Sequence, residues 1–160
     1  MIRILILIFT IAFFFSLNGY AADTQSSITG KWKTFDDDGL HDGVIEIYQN
    51  DAKYFGKIVF LPKPEDKDAI CDNCEGEDKD KPLLGLVILK NMKENKGEYS
   101  GGTILDPYSG KVYSCIIKLL ENGNKLEVRG FCGISLFGCS KYWDRLKGNS
   151  QFTENNASNT

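Results

Sequence analysis

Residues 112–132 read VYSCIIKLLENGNKLEVRGFC, two alternating segments joined at Asn122-Gly123. Asn-Gly is the strongest short hairpin signal, because both residues accept the positive φ that a tight two-residue turn demands. With that loop Leu119 falls opposite Leu126, Ile117 opposite Val128 and Tyr113 opposite Cys132, all on one face. The other face sets Lys118 against Glu127, an ion pair across strands. A slip of one residue would turn those charges inward, so the alternation fixes the register.

The same period of two extends outward along the chain. In residues 44–49 and 52–61 a turn at Asn50-Asp51 sets Ile47 opposite Tyr54 and Ile45 opposite Gly56. Ile45, Ile47, Tyr54, Ile58 and Phe60 then share an inner face, with Glu46, Lys53 and Lys57 outside. Residues 83–89 read as a buried strand and residues 98–105 as another, loosened by Gly101-Gly102. Asp106-Pro107-Tyr108-Ser109-Gly110 is a turn, since proline presets the turn dihedral between Asp and Gly. With residues 31–35 first and 140–147 last, about eight strands follow one another without an amphipathic helical stripe. Gly30-Lys31-Trp32 on the first strand and Trp143-Asp144-Arg145 on the last can meet if the sheet closes on itself. The expected fold is all-β, a small closed antiparallel barrel over residues 29–147.

The chain ends differ from this middle. Arg3, the apolar residues 4–17 and the small-residue site Gly19-Tyr20-Ala21 have the order of a signal peptide, residues 1–21, cleaved after Ala21. The apolar run is too short for a stable membrane span. Residues 22–28 are a linker, and the polar residues 148–160 a disordered tail. The formal charge of -3 becomes more negative once Arg3 is removed, and there is no basic tract, which argues against nucleic acid as a partner.

Residues 61–82 form a charged, proline-punctuated connection far longer than a hairpin loop. Cys71 and Cys74 pin it, as a lid over one barrel mouth or as an inert decoration. Of the five cysteines, Cys115 faces Gly130 in the hairpin register, and Cys132 lies diagonal to it, beyond disulfide reach. The expected bridges are therefore Cys71 with Cys74 and Cys132 with Cys139, leaving Cys115 as a buried thiol. Asp72, Glu75, Glu77 and Asp78 oppose the thiolate that redox catalysis through Cys71 and Cys74 would need. His41 is the sole histidine and no second Cys-x-x-Cys exists, so a zinc site lacks ligands. The acidic runs at residues 36–38 and 75–80 do not have the spacing of a calcium loop. No Gly-x-Ser-x-Gly or phosphate-cradling loop occurs, and no metal, cofactor or catalytic constellation is expected.

Several blocks together resemble a known group: Gly30-x-Trp32, residues 54–59 (YFGKIV), 82–86 (PLLGL), 101–113 (GGTILDPYSGKVY), 126–130 (LEVRG) and Trp143-Asp144-Arg145. Their order and spacing are similar to the exported bacterial family called domain of unknown function 2147. The resemblance implies a periplasmic or secreted protein with a lipocalin-like, calycin-like barrel and no established activity. Gly30-x-Trp32 with Arg145 also resembles the lipocalin structural signature, which implies a scaffold role for Gly30, Trp32, Trp143 and Arg145 in barrel closure. The chain departs from some members at Cys139-Ser140-Lys141-Tyr142, where they carry Arg-Thr-Gln before the final tryptophan.

A barrel of this size either fills with its own side chains or holds one small ligand. The first reading is a carrier that sequesters an apolar or amphipathic small molecule against Tyr54, Ile58, Tyr113, Ile117 and Val128. The second is an envelope module with a filled barrel whose loops contact a protein or cell-wall component. A third, thiol redox chemistry, would rest on Cys71 and Cys74.

Overall fold

The computed structural model describes residues 27–147. Eight antiparallel strands close into one barrel in chain order: β1 (Gly30–Phe35), β2 (His41–Asn50), β3 (Lys53–Phe60), β4 (Val87–Asn95), β5 (Glu98–Leu105), β6 (Val112–Leu120), β7 (Lys125–Phe131) and β8 (Gly138–Arg145). Closure runs through Trp32↔Arg145 and Lys33↔Asp144, so the sheet has no free edge. The barrel expected from sequence is thus the one observed. The signal segment, residues 22–26 of the linker, and the tail lie outside the described residues.

The β6–β7 hairpin has the expected register, with Ile117↔Val128, Lys118↔Glu127 and Leu119↔Leu126. The loop is longer than the two-residue turn expected: it spans residues 121–124, with Glu121 (φ 51°), Asn122 (φ 52°) and Gly123 (φ 91°) all at positive φ and Asn124 N–H donating to Glu121 O at 3.1 Å, while the pairing on either side is unchanged. The β2–β3 hairpin differs by one step. Its turn is Asp51-Ala52, which pairs Ile47 with Gly56, Ile45 with Ile58 and Gln49 with Tyr54. Asp51 itself takes the positive φ (53°), a conformation that a short polar side chain tolerates. The slip is by two positions, so inward residues stay inward, and Lys57 meets Glu46 at 3.0 Å outside.

The strand expected at residues 83–89 begins only at Val87 and continues to Asn95. Gly85 (φ 91°) breaks extension before it, and Leu83 and Leu86 are buried from a turn instead. Cys132 and Cys139, expected to be bridged, are separate exposed thiols. The ladder places Cys139 opposite Gly130 and ends at Phe131↔Gly138. Cys132 and Cys139 are therefore diagonal neighbours, typically about 7–8 Å apart between Cα atoms and beyond disulfide reach.

Up-and-down order gives the barrel two unlike ends. The three short turns at 51–52, 96–97 and 121–124 share one end with residues 27–29. There Trp32 is fully buried and its indole N–H donates to Ile28 O at 2.8 Å. The Arg145 guanidinium stacks 4.1 Å over the Trp32 ring. It also donates to Thr29 O at 2.8 Å, to Ser27 O at 2.7 Å and to Gly123 O, leaving its charge well solvated by carbonyls. Gly30 leaves room for this, since a Cβ there would lie 3.0 Å from Arg145 Nη1. Above the plug, Ile47, Met92, Tyr99, Ile117 and Leu126 fill the lower barrel.

Candidate functional site

The four remaining loops, residues 36–40, 61–86, 106–111 and 132–137, stand at the other end. Between them opens a cavity of about 880 Å³, lined by Ile104, Leu105, Tyr113, Val128, Phe137 and Trp143 among others. A second of about 440 Å³ adjoins it, with Ile45, Ile58, Leu83 and Ile88 in its wall; the two share Ile104 and Trp143. These volumes lie in the range of small-molecule sites, and the deep walls are apolar. The barrel is therefore filled at one end and open at the other.

The rim is polar and mostly acidic. Asp37 and Asp106 border both cavities, and Lys141 pairs with Asp37, which raises the lysine pKa. Burial holds the Asp42 carboxyl above its usual range, against the opposing pull of Lys63. The Tyr108 hydroxyl lies 3.4 Å from Asp66 Oδ2; burial, then that carboxylate, push it up to about 12, so it stays a neutral phenol. The arrangement can receive an apolar body in the interior and a polar group at the rim.

The long 61–86 connection is a strap across the side of this mouth. Cys71 and Cys74 form a disulfide, both cysteines are buried, and Cys71 Sγ packs 3.2 Å from Pro107 O. Asn73 donates through its side-chain amide to Tyr108 O at 2.8 Å. Gly110 (φ 70°) is required beneath it, because a Cβ there would stand 1.8 Å from Asn73 O. Further along, Asp78 accepts from Lys90 on β4 and pairs with Lys81 at 3.4 Å. Burial works against its ionised form, yet these two lysines outweigh it and lower the Asp78 pKa. The turn expected at residues 106–110 is thus the seat of the strap, with Asp106 accepting from Tyr108 N–H at 3.1 Å.

Of the residues read from sequence as candidate ligand contacts, Tyr113 and Val128 line the larger cavity and Ile58 the smaller. Tyr54 and Ile117 lie deeper, in the filled half, where Tyr54 meets Tyr99 edge-on at 4.9 Å. Trp143, read as part of barrel closure with Trp32 and Arg145, also lines both cavities, two residues up the strand from Arg145. Cys115 is a buried free thiol, pushed up to about 12 by burial. Ile104, Leu136 and Phe137 line the larger cavity without having been singled out from sequence; the uncharged apolar run between Gly133 and Gly138 was the available signal for the last two.

Residues 30–145 match the family described as "Uncharacterized protein conserved in bacteria (DUF2147)". No curated protein matches the chain significantly. Among solved structures, a protein of Helicobacter pylori, HP1028, described as belonging to the lipocalin family, superposes with a TM-score of 0.67 at 19% identity. The match covers 76% of this chain and 84% of that one, and it establishes a shared lipocalin-like fold.

Proposed function

We infer that this chain, which belongs to the DUF2147 family of bacterial proteins, is a binding barrel that sequesters a small apolar or amphipathic molecule without transforming it. The observation that carries this reading is the apolar cavity of about 880 Å³ at the open end. A filled-barrel interaction module needs an interior without room, a condition met below Ile117 and not above Tyr113. Tyr113, Val128, Ile58, Ile104 and Trp143 would hold the apolar part, with Asp37, Asp106 and Lys141 around any polar group. The reading includes export to the periplasm or beyond, supported by the apolar residues 4–17 and the Cys71–Cys74 bridge.

The test is native mass spectrometry of the protein recovered from its host. The expected result is a chain beginning at Ala22 with a retained small molecule, which Ile104→Trp displaces by filling the junction of the two cavities. A chain that carries no molecule, and binds no apolar fluorescent probe, overturns the carrier reading.

A further inference from the structure

We propose that the open end docks on a zwitterionic phospholipid bilayer, led by the loop between β7 and β8. Among the described residues, every large apolar side chain left exposed except Tyr142 belongs to a loop or strand start at the open end. Leu40, Leu84 and Val112 are exposed in or beside the other three open-end loops. The two largest exposures fall in one loop, Leu136 at 76% and Phe137 at 73%, with Ile134 at 61% beside them. Apolar side chains exposed together at one loop tip mark an interaction site, and a fluid surface can conform to them.

Three carbonyls of this loop, those of Ile134, Ser135 and Leu136, are already paired within the protein. Arg129 on β7 donates through Nε and Nη2 to Ser135 O at 3.0 and 2.8 Å, and through Nη2 to Leu136 O at 3.3 Å. Phe137 N–H donates to Ile134 O at 3.2 Å. A segment entering the acyl boundary must pair its own polar groups, since lipid offers no partners there. The cation that does so also donates through Nη1 to Ser140 Oγ at 3.2 Å, which ties the loop to the start of β8.

Charge selects the kind of bilayer. Residues 133–138 carry no charged side chain, whereas Asp36, Asp37 and Asp38 stand on the neighbouring loop. An anionic surface would be repelled by that loop, and a neutral one would not. The docking loop is continuous with the cavity, because Leu136 and Phe137 line it as well. An immersed tip would therefore bring the cavity mouth to the bilayer surface, with its rim carboxylates left at the headgroup level. This inference rests on the exposed loop and not on the carrier reading, although the two fit together.

Flotation of the host-recovered protein with phosphatidylcholine vesicles tests it, against vesicles containing phosphatidylglycerol. We expect binding to phosphatidylcholine that is insensitive to salt and no stronger on anionic vesicles. Replacing Leu136 and Phe137 together by Ser should weaken partitioning by about tenfold or more, given the apolar area withdrawn. Ile134→Asp lies off the cavity wall, so it should also weaken flotation while apolar probe uptake is unchanged. Probe uptake lost in wild type with flotation intact overturns the carrier reading alone. Failure of wild type to float, flotation unchanged in both variants, anionic binding abolished by salt, or loop-dependent self-association without flotation overturns the docking proposal.

Discussion

The two ends of this barrel are built from the same eight strands and obey opposite rules. At the closed end, turns are tight, Trp32 is fully buried, and one guanidinium satisfies carbonyls from residues 27, 29 and 123. At the open end, longer loops leave apolar side chains in water and carboxylates around a void. The difference shows a division of labour along the strands: stability is concentrated where the interior is full, which lets the other half remain hollow. Strand ladders alone do not require it, because pairing is continuous around both ends.

The sharpest way to break this comparison is Trp32→Ala. It removes the ring beneath Arg145 and the donor to Ile28 O, and should cost about 3–5 kcal/mol in chemical denaturation. Phe137→Ser, at the opposite end, should stay within about 0.5 kcal/mol of wild type. Equal effects from the two would dissolve the distinction.

Gly110→Ala examines the one part of the open end that is tightly packed. Its new Cβ would collide with the Asn73 carbonyl, so the strap must lift from the 106–110 turn. The expected cost is about 1–3 kcal/mol, the usual range for overpacking. Thiol labelling after mild reductant should find Cys71 and Cys74 sooner in the variant, while amide exchange along β1 and β8 near Trp32 stays unchanged. Faster exchange at the closed end would mean that the strap supports the whole barrel and not only its mouth.

Much of the scaffold was legible because period two and end-to-end closure are written locally. Asn122-Gly123 set the register of its hairpin correctly, and Trp32 with Arg145 named the residues that meet. Asn50-Asp51 misled by two positions, an error invisible to alternation because parity survives it. The apolar run at residues 83–89 looked like a ladder strand, yet its first half is buried by the strap. The site was legible only in part, since inward facing does not say how deep a residue sits. Tyr54 starts β3 beside a closed-end turn and meets Tyr99, whereas Tyr113 starts β6 at the mouth and meets a void. Counting depth from the Trp32 plug separates the two, and that count needs the strand directions.

The smallest expected effect concerns His41, at the open start of β2 between Phe35 and Phe60, at ring distances of 6.4 and 6.0 Å. Neither ring nitrogen has a partner beyond its own backbone. Burial, helped by Lys33, holds its pKa below 6.5, with Asp42 pulling weakly the other way. A depressed pKa means that the unfolded chain takes up the proton first, so the stability His41 contributes is full above pH 6.5 and lost as pH falls toward the folded value. Asp42 has the opposite sign. Its raised pKa penalises the charged form in the fold, so Asp42→Asn should stabilise at neutral pH and lose that advantage in acid. Between pH 7 and 5.5 the Tm of wild type should therefore fall by about 1–2 °C more than that of His41→Phe, which keeps the aromatic contacts without the titration. Parallel Tm curves for these two proteins would place His41 outside the pH response and leave the open end's sensitivity to acid to its carboxylates.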